Sequence, residues 1–257
     1  MTAADVTGTT QGQAPTGSAE AIVLLHGLFD SPKGWRDLPR RLAAAGHSVL
    51  APDLPGHGDS APAATLDEVL TTLAQTVTQA IPAGPLTLIG HSLGAALAVK
   101  IATLMPQRIA HLILSAPAGL GPRINPDFTQ GMLAAETPQA LARALSLLDA
   151  GPLSPTALAQ ELARLKAQRA GHAPLAAALS SHGFQQIDIT ADLARLTCAT
   201  TVIFGTADRI LDWRCIEHLP ATTAIHLIRG AGHLAHHADP DLVLSLVTAQ
   251  RSTATRA

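Results

Sequence analysis

Cysteine is scarce in this chain: Cys198 and Cys215 are the only two, 17 positions apart. That spacing fits no metal-binding pattern and supplies no disulfide framework, so both are read as reduced thiols. Tyrosine is absent, and lysine occurs only as Lys33, Lys100 and Lys166. With four Phe and two Trp, an aromatic-walled binding pocket is not indicated. Charged residues make up 14% of the chain and the formal net charge is −2. This leaves no electrostatic basis for binding nucleic acid or an anionic membrane. Long apolar runs are also missing. The nearest, Ala95 to Met105, is interrupted by Lys100 and falls far short of a membrane span. No Lys or Arg precedes Lys33, so the basic region of a secretory signal peptide is lacking and a cytoplasmic location is expected by default.

What is present is material for a core. Hydrophobic residues account for 47% of 257 residues, which suits one α/β domain with room for an insertion. Residues 1–20 are rich in Thr, Gly, Ala, Gln and Pro without periodicity and are expected to form a disordered tail. A short C-terminal tail is expected at 251–257, leaving 21–250 as a single domain. Short apolar runs at Ile22–Leu25, Val49–Ala51, Leu86–Ile89, Leu112–Leu114, Thr201–Phe204 and Ala224–Ile228 read as strands buried on both faces. Helical stripes lie between them: Trp35, Leu38 and Leu42; Leu66, Val69, Leu70, Leu73 and Val77; Leu93, Leu97, Ile101 and Leu104; and Leu242, Leu244 and Val247. Thr65 and Glu68 form a capping box at the start of the second stripe. The alternation stops between Ala118 and Thr197, which shows no strand. It does show Thr137-Pro138 and Ser154-Pro155, each an N-cap residue followed by Pro. The expected architecture is therefore α/β: a mostly parallel sheet with helices on both faces and a helical cap inserted at about 119–196.

The segment Leu86 to Ala96 carries the chemistry. Gly90-His91-Ser92-Leu93-Gly94 fits Gly-x-Ser-x-Gly between a strand and a helix. A serine there sits on a strained turn with its hydroxyl exposed above the sheet, and the flanking glycines let strand and helix approach. The amide of Leu93, at the helix N-terminus, is a candidate oxyanion donor. A nucleophilic serine needs a base, and the base an orienting acid. Among 12 histidines, His233 in Gly230-Ala231-Gly232-His233 follows the last strand and reaches the carboxyl edge, where open α/β sheets bind ligands. His236 and His237 lie nearer the last helix. The three histidines could suggest a metal cluster, but no carboxylate or cysteine completes it, so no metal is expected. Asp208 follows the strand Thr201–Phe204 and is the acid; Asp212 is read as helical. The second oxyanion donor is the Leu28 amide, in a loop after the first strand where Gly27 lets the backbone fold toward Ser92. His26 is read as pinning that loop by hydrogen bonds. Asp53 to Ser60 is read as turn structure.

In the order His26-Gly27, Asp53 to Ser60, Gly90 to Gly94, Asp208 and Gly232-His233, these features resemble the α/β-hydrolase family over about residues 21–250. Within it, Ala116 to Phe128, Gly131 to Glu136 and Asp208-Arg209-Ile210 resemble the hydrolase-like part of the acyltransferase component of acetoin dehydrogenase complexes. Such relatives carry a lipoyl domain with a lipoyl-bearing lysine. Here about 20 residues precede the first strand and none of the three lysines lies in a lipoyl-type hairpin, so the chain is not expected to be a swinging arm. The antiparallel strands that often open the fold are not evident.

Three readings compete. One is a hydrolase of a small-molecule carboxylic ester or thioester, with no cofactor. Another is an acyltransferase, in which a thiol or alcohol replaces water in the second half-reaction. The third is a catalytically silent module associated with a dehydrogenase complex, against which the complete set of Ser92, His233 and Asp208 argues. Haloalkane or epoxide chemistry needs a carboxylate at position 92. The sequence assigns no oligomeric state.

Overall fold

The computed structural model describes residues 20–254. Apart from Glu20, the expected N-terminal tail lies outside the described residues, as do residues 255–257. The strands are β1 (Ala21–Leu25), β2 (Ser48–Leu50), β3 (Leu86–His91), β4 (Ile109–Ser115), β5 (Ser180–Ser181), β6 (Phe184–Gln185), β7 (Ala199–Gly205) and β8 (Ala224–Ile228). Six of them form one sheet in the order β2-β1-β3-β4-β7-β8. Every neighbouring pair in it is parallel, so the loops that follow the strands all leave from one edge. The helices are α1 (Leu38–Ala44), α2 (Leu66–Ala80), α3 (Leu93–Leu104), α4 (Pro126–Ala134), α5 (Pro138–Leu145), α6 (Pro155–Leu179), α7 (Thr190–Arg195), α8 (Ala235–Ala238) and α9 (Pro240–Ala254). Among the described residues no helix is long and apolar enough to cross a membrane.

Strand periodicity divides the core into two. Ile22, Leu24, Ile89, Ile113 and Ile203 project to one face, where they meet Leu38 and Leu42 of α1 and Val243 and Val247 of α9. Val23, Leu25, Leu88, Leu112, Val202 and Phe204 project to the other, against α2, α3 and the cap. Successive strand residues point to opposite faces, so a strand covered on both sides must be apolar throughout. Each large side chain buried this way contributes roughly 1.5–3 kcal/mol. The start of α2 is built as expected from Thr65 and Glu68. Thr65 Oγ1 accepts from the Glu68 amide at 3.2 Å, and Glu68 Oε2 accepts from Ala64, one residue earlier than in the standard box.

Several sequence expectations are corrected. Strand β8 is not buried on both faces. It is an edge strand with one neighbour, and Ile225 and Leu227 are each 42% exposed. Leu104, expected to be part of a buried stripe, is 60% exposed at the end of α3. Helix α9 runs to Ala254, past the tail boundary expected at 251. The interval between β4 and β7 holds the helical cap, α4 to α7. Thr137 Oγ1 and Ser154 Oγ cap α5 and α6 as read, each accepting at 3.2 Å. The same interval also contains the antiparallel pair β5 and β6, which was not expected. Its turn, His182-Gly183, has positive φ at both residues (51° and 77°), the geometry of a tight hairpin. Strands of two residues are too short to show any periodicity.

Candidate active site

Ser92 stands between β3 and α3 with φ 53° and ψ −116°, a conformation that non-glycine residues rarely adopt. The surrounding backbone fixes it there. Its amide donates to Ser115 O at 3.0 Å, and its carbonyl accepts from Ala95, Ala96 and Ala118. The two glycines of the motif are required by contact. A Cβ on Gly90 would lie 2.4 Å from Ala95 Cα, and one on Gly94 would lie 2.1 Å from Leu25 O. Strand β1, strand β3 and helix α3 therefore meet with no room for a side chain.

His233 and Asp208 arrive on neighbouring loops. Ala207 N donates to Ala231 O at 2.9 Å, and Gly230 N to Thr206 Oγ1 at 2.9 Å, so the loops after β7 and β8 are tied together. His233 Nδ1 lies 2.7 Å from Asp208 Oδ2, with both side chains buried. This fixes the tautomer: Nδ1–H donates to the carboxylate, and Nε2 keeps a lone pair for a proton acceptor role. Asp208 Oδ1 accepts from the amides of Ile210 and Leu211 at 2.8 and 3.0 Å. Burial pushes the Asp208 carboxyl up, but the electrostatic pull and hydrogen bond of His233 and the bonds from the two amides outweigh it and hold the group below its ordinary value. No hydrogen bond joins Ser92 Oγ to His233 among the described residues. The two are linked through His91, whose ring centroid is 4.9 Å from that of His233. Asp212, read as helical, is instead the N-cap of a short 3-10 turn, accepting from Arg214 N.

The loop after β1 completes the arrangement. A Cβ on Gly27 would lie 3.4 Å from Ser92 Cβ, so this backbone packs directly on Ser92. The amides of Leu28 and Leu93 find no protein acceptor among the described residues. His26 pins the loop as read: its Nε2 accepts from Leu54 N at 3.1 Å and its Nδ1–H donates to Gly27 O at 2.9 Å. The turn Asp53 to Ser60 does more than read from its composition, because His57 Nε2 accepts from the Phe29 amide at 3.1 Å.

Histidines crowd the site. Burial lowers His26 to about 3, His57 to about 4 and His172 to about 3, and neighbouring positive charge adds to the effect. His91 and His236 are held well below the ordinary imidazole range, first by burial, then by His236 and His233 for His91 and by His237, His233 and Arg36 for His236. His236, placed by the sequence nearer the last helix, is buried in α8, with Nδ1 3.0 Å from Ser115 Oγ and its ring 4.9 Å from Trp35. Among the described residues, no three His, Cys, Asp or Glu side chains converge where a metal ion could sit. A cleft of about 450 Å³ opens beside the Asp208 loop; its lining includes Ile124, Ile210 and Trp213 but neither Ser92 nor His233.

Comparison with known proteins follows the same outline. A family model described as the alpha/beta hydrolase family matches residues 22–246. A dihydrolipoyllysine-residue acetyltransferase component of the acetoin cleaving system from Cupriavidus necator is 30% identical over 227 residues, 85% of this chain and 60% of that protein. A protein of the same description from Pseudomonas putida is 40% identical over 134 residues, 51% of this chain and 36% of that one. The chain thus spans less than two thirds of the length of either relative. A 2-hydroxy-6-oxononadienedioate/2-hydroxy-6-oxononatrienedioate hydrolase from Cupriavidus pinatubonensis is 27% identical over 84% of this chain and 81% of that protein. Among solved structures, a Bacillus subtilis carboxylesterase superposes with a TM-score of 0.74 at 19% identity, covering 91% of this chain and 84% of that one, which shows a shared fold.

Proposed function

The chain belongs to the alpha/beta hydrolase family, and from that premise we propose that it is a serine hydrolase of carboxylic esters or thioesters. The observation that carries the reading is the 2.7 Å bond from His233 Nδ1 to Asp208, which leaves Nε2 as the ring nitrogen to exchange a proton, on the edge where Ser92 is held at positive φ. In this reading Ser92 Oγ attacks the substrate carbonyl as its proton passes to His233 Nε2. The tetrahedral oxyanion accepts from the Leu28 and Leu93 amides. Collapse breaks the bond to the alcohol or thiol, which leaves with the proton from His233. Water then attacks the acyl-Ser92 ester with His233 again as base, releasing the carboxylic acid and restoring the serine. Asp208 stabilises the imidazolium formed in each half. Acyl selection belongs to the cap, where Met132 is buried and Leu133 is packed against the core. A cytoplasmic location is part of the proposal, supported by two free cysteines.

A second reading has an observation in its favour. The similarity to acetyltransferase components covers most of this chain, and a thiol accepting the acyl group from Ser92 would make it a transferase. Its association with such a system, as a separate partner, belongs to that reading. The test is a panel of ester and thioester substrates of varied acyl length, assayed with and without added thiol. Ser92→Ala, His233→Ala and Asp208→Asn should each lower turnover by roughly 10³-fold or more. Free acid as the product supports the hydrolase; acyl-thiol formed in proportion to thiol supports the transferase. Turnover preserved in Ser92→Ala contradicts both.

A further inference from the structure

Phe29 follows the proposed oxyanion donor Leu28, and every part of it is gripped from elsewhere. Its amide donates to His57 Nε2 at 3.1 Å, from the loop after β2. Its carbonyl accepts from the Arg164 guanidinium, on cap helix α6. Its ring meets Phe128 of α4 at 5.9 Å and His172 of α6 at 5.3 Å, both edge-on. The backbone needs this support, because Phe29 sits at φ 67°. A bulky residue in the left-handed region is strained and persists only where its surroundings hold it. The loop and the cap are themselves locked together. Gly56 and Gly171 touch so closely that a Cβ on Gly171 would lie 2.5 Å from Gly56 O, and the His57 and His172 rings meet at 4.4 Å, tilted by 48°.

We propose that His57 and Arg164 are positioning residues that hold the Leu28 amide in its oxyanion-binding orientation, and that Phe29 is the joint through which the cap sets that orientation. The inference rests on the serine-hydrolase reading and extends it. The reasoning is geometric. The peptide between Leu28 and Phe29 sets the plane next to the Leu28 amide, and the two bonds to Phe29 act on its N–H and C=O. With both in place, neither end of the Phe29 backbone can rotate without breaking a hydrogen bond, buried at the N–H and half-buried at the C=O. His57 can accept only while Nε2 is unprotonated, and burial lowers its pKa to about 4, with His26, His172 and Arg164 facing it, so the ring is neutral near pH 7. The carboxylates on this side are Asp30, Asp53 and Glu161, and Arg164 is already engaged by Glu161. A shift of α6 on substrate entry would move Arg164 and, through Phe29, the donor. Closure of the cap and assembly of the oxyanion site would then be one event.

The test uses the full chain with a short-acyl activated ester and a boronic-acid inhibitor, which becomes tetrahedral on bonding to the serine oxygen. Arg164→Met and His57→Leu should lower kcat by about 10-fold to 100-fold while KM moves less than about 3-fold, since a misplaced donor is missed mainly in the transition state. Boronate affinity should fall by the same factor as kcat. His57→Gln, whose side-chain oxygen can still accept from Phe29 N, should recover most of the rate. Should His57→Leu fail to fold, Arg164→Met decides, because that side chain is 26% exposed. Unchanged kcat in Arg164→Met, or equal loss in His57→Gln and His57→Leu with KM rising in step, overturns the inference while leaving the hydrolase reading intact. A parent enzyme whose turnover survives Ser92→Ala overturns that reading, and the inference falls with it.

Discussion

The ring of His91 donates from Nε2 to the backbone carbonyl of His233 at 3.2 Å. The residue before the proposed nucleophile thereby holds the main chain of the proposed base, and the elbow and the histidine loop move as one piece. His91 Nδ1 is buried without a partner, so the ring has this single bond to lose.

His91→Leu should therefore harm both stability and rate. It leaves the His233 carbonyl buried and unpaired, at a cost of about 1–3 kcal/mol. A looser His233 should lower kcat by about 10-fold. Thermal melts and steady-state kinetics on the same preparation check both, and a variant with parental kcat would show that the loop is held by its other bonds alone.

Ser92→Gly should abolish turnover and raise stability. The serine side chain makes no capping bond to α3, so nothing is lost there, while φ 53° and ψ −116° suit glycine. Relief of strain worth roughly 1–3 kcal/mol, offset by about 0.5–1 kcal/mol of added chain entropy, leaves a net gain near 1 kcal/mol. Chemical denaturation of Ser92→Gly against Ser92→Ala measures it. Equal stability would mean that the elbow stores no strain.

Stability should fall steeply as pH drops below about 6.5. His26, His57, His111 and His172 have folded values of about 3 to 4, against 6.5 in an open chain. Between those limits the unfolded state binds protons that the folded state refuses. The stability present above pH 6.5 is thus lost as pH falls toward 4, at about 1.4 kcal/mol per histidine per pH unit. Asp30 opposes this. Burial raises its carboxyl to about 6, so its contribution favours the fold at lower pH and is lost as pH rises through 6. Asp53 is raised as well, but His91, His236 and His237 are lowered too, so the histidines dominate. Calorimetric melts at pH 7.5, 6.5, 5.5 and 5.0 should show the decline, and a flat profile over that range would contradict the buried-histidine account.

Much of this was legible in the sequence because it is local. Gly90, Ser92 and Gly94 announce a turn whose constraints act within a few residues. Thr65, Thr137 and Ser154 cap helices three residues away. Asp208 and His233 could be chosen because each follows an apolar run that had to be a strand. What was not legible depends on residues far apart in the chain. Arg164 is one arginine on a long helix until the fold brings it to Phe29, 135 positions away. His57 reads as a turn residue until Phe29 meets it. His236 looked peripheral because its partners, Ser115 and Trp35, come from two distant segments. The exposure of β8 follows from its place at the sheet edge, which an apolar run of five residues does not reveal.

The central claim is that Ser92 is the nucleophile and that His233, oriented by Asp208, activates it. The direct measurement is peptide mapping of the protein after brief exposure to a fluorophosphonate. The account predicts one modified serine, Ser92, with labelling slowed at least about 100-fold in His233→Ala and kept near the parental rate in His237→Ala. A different labelled serine, or labelling at Ser92 that is indifferent to His233, would contradict it.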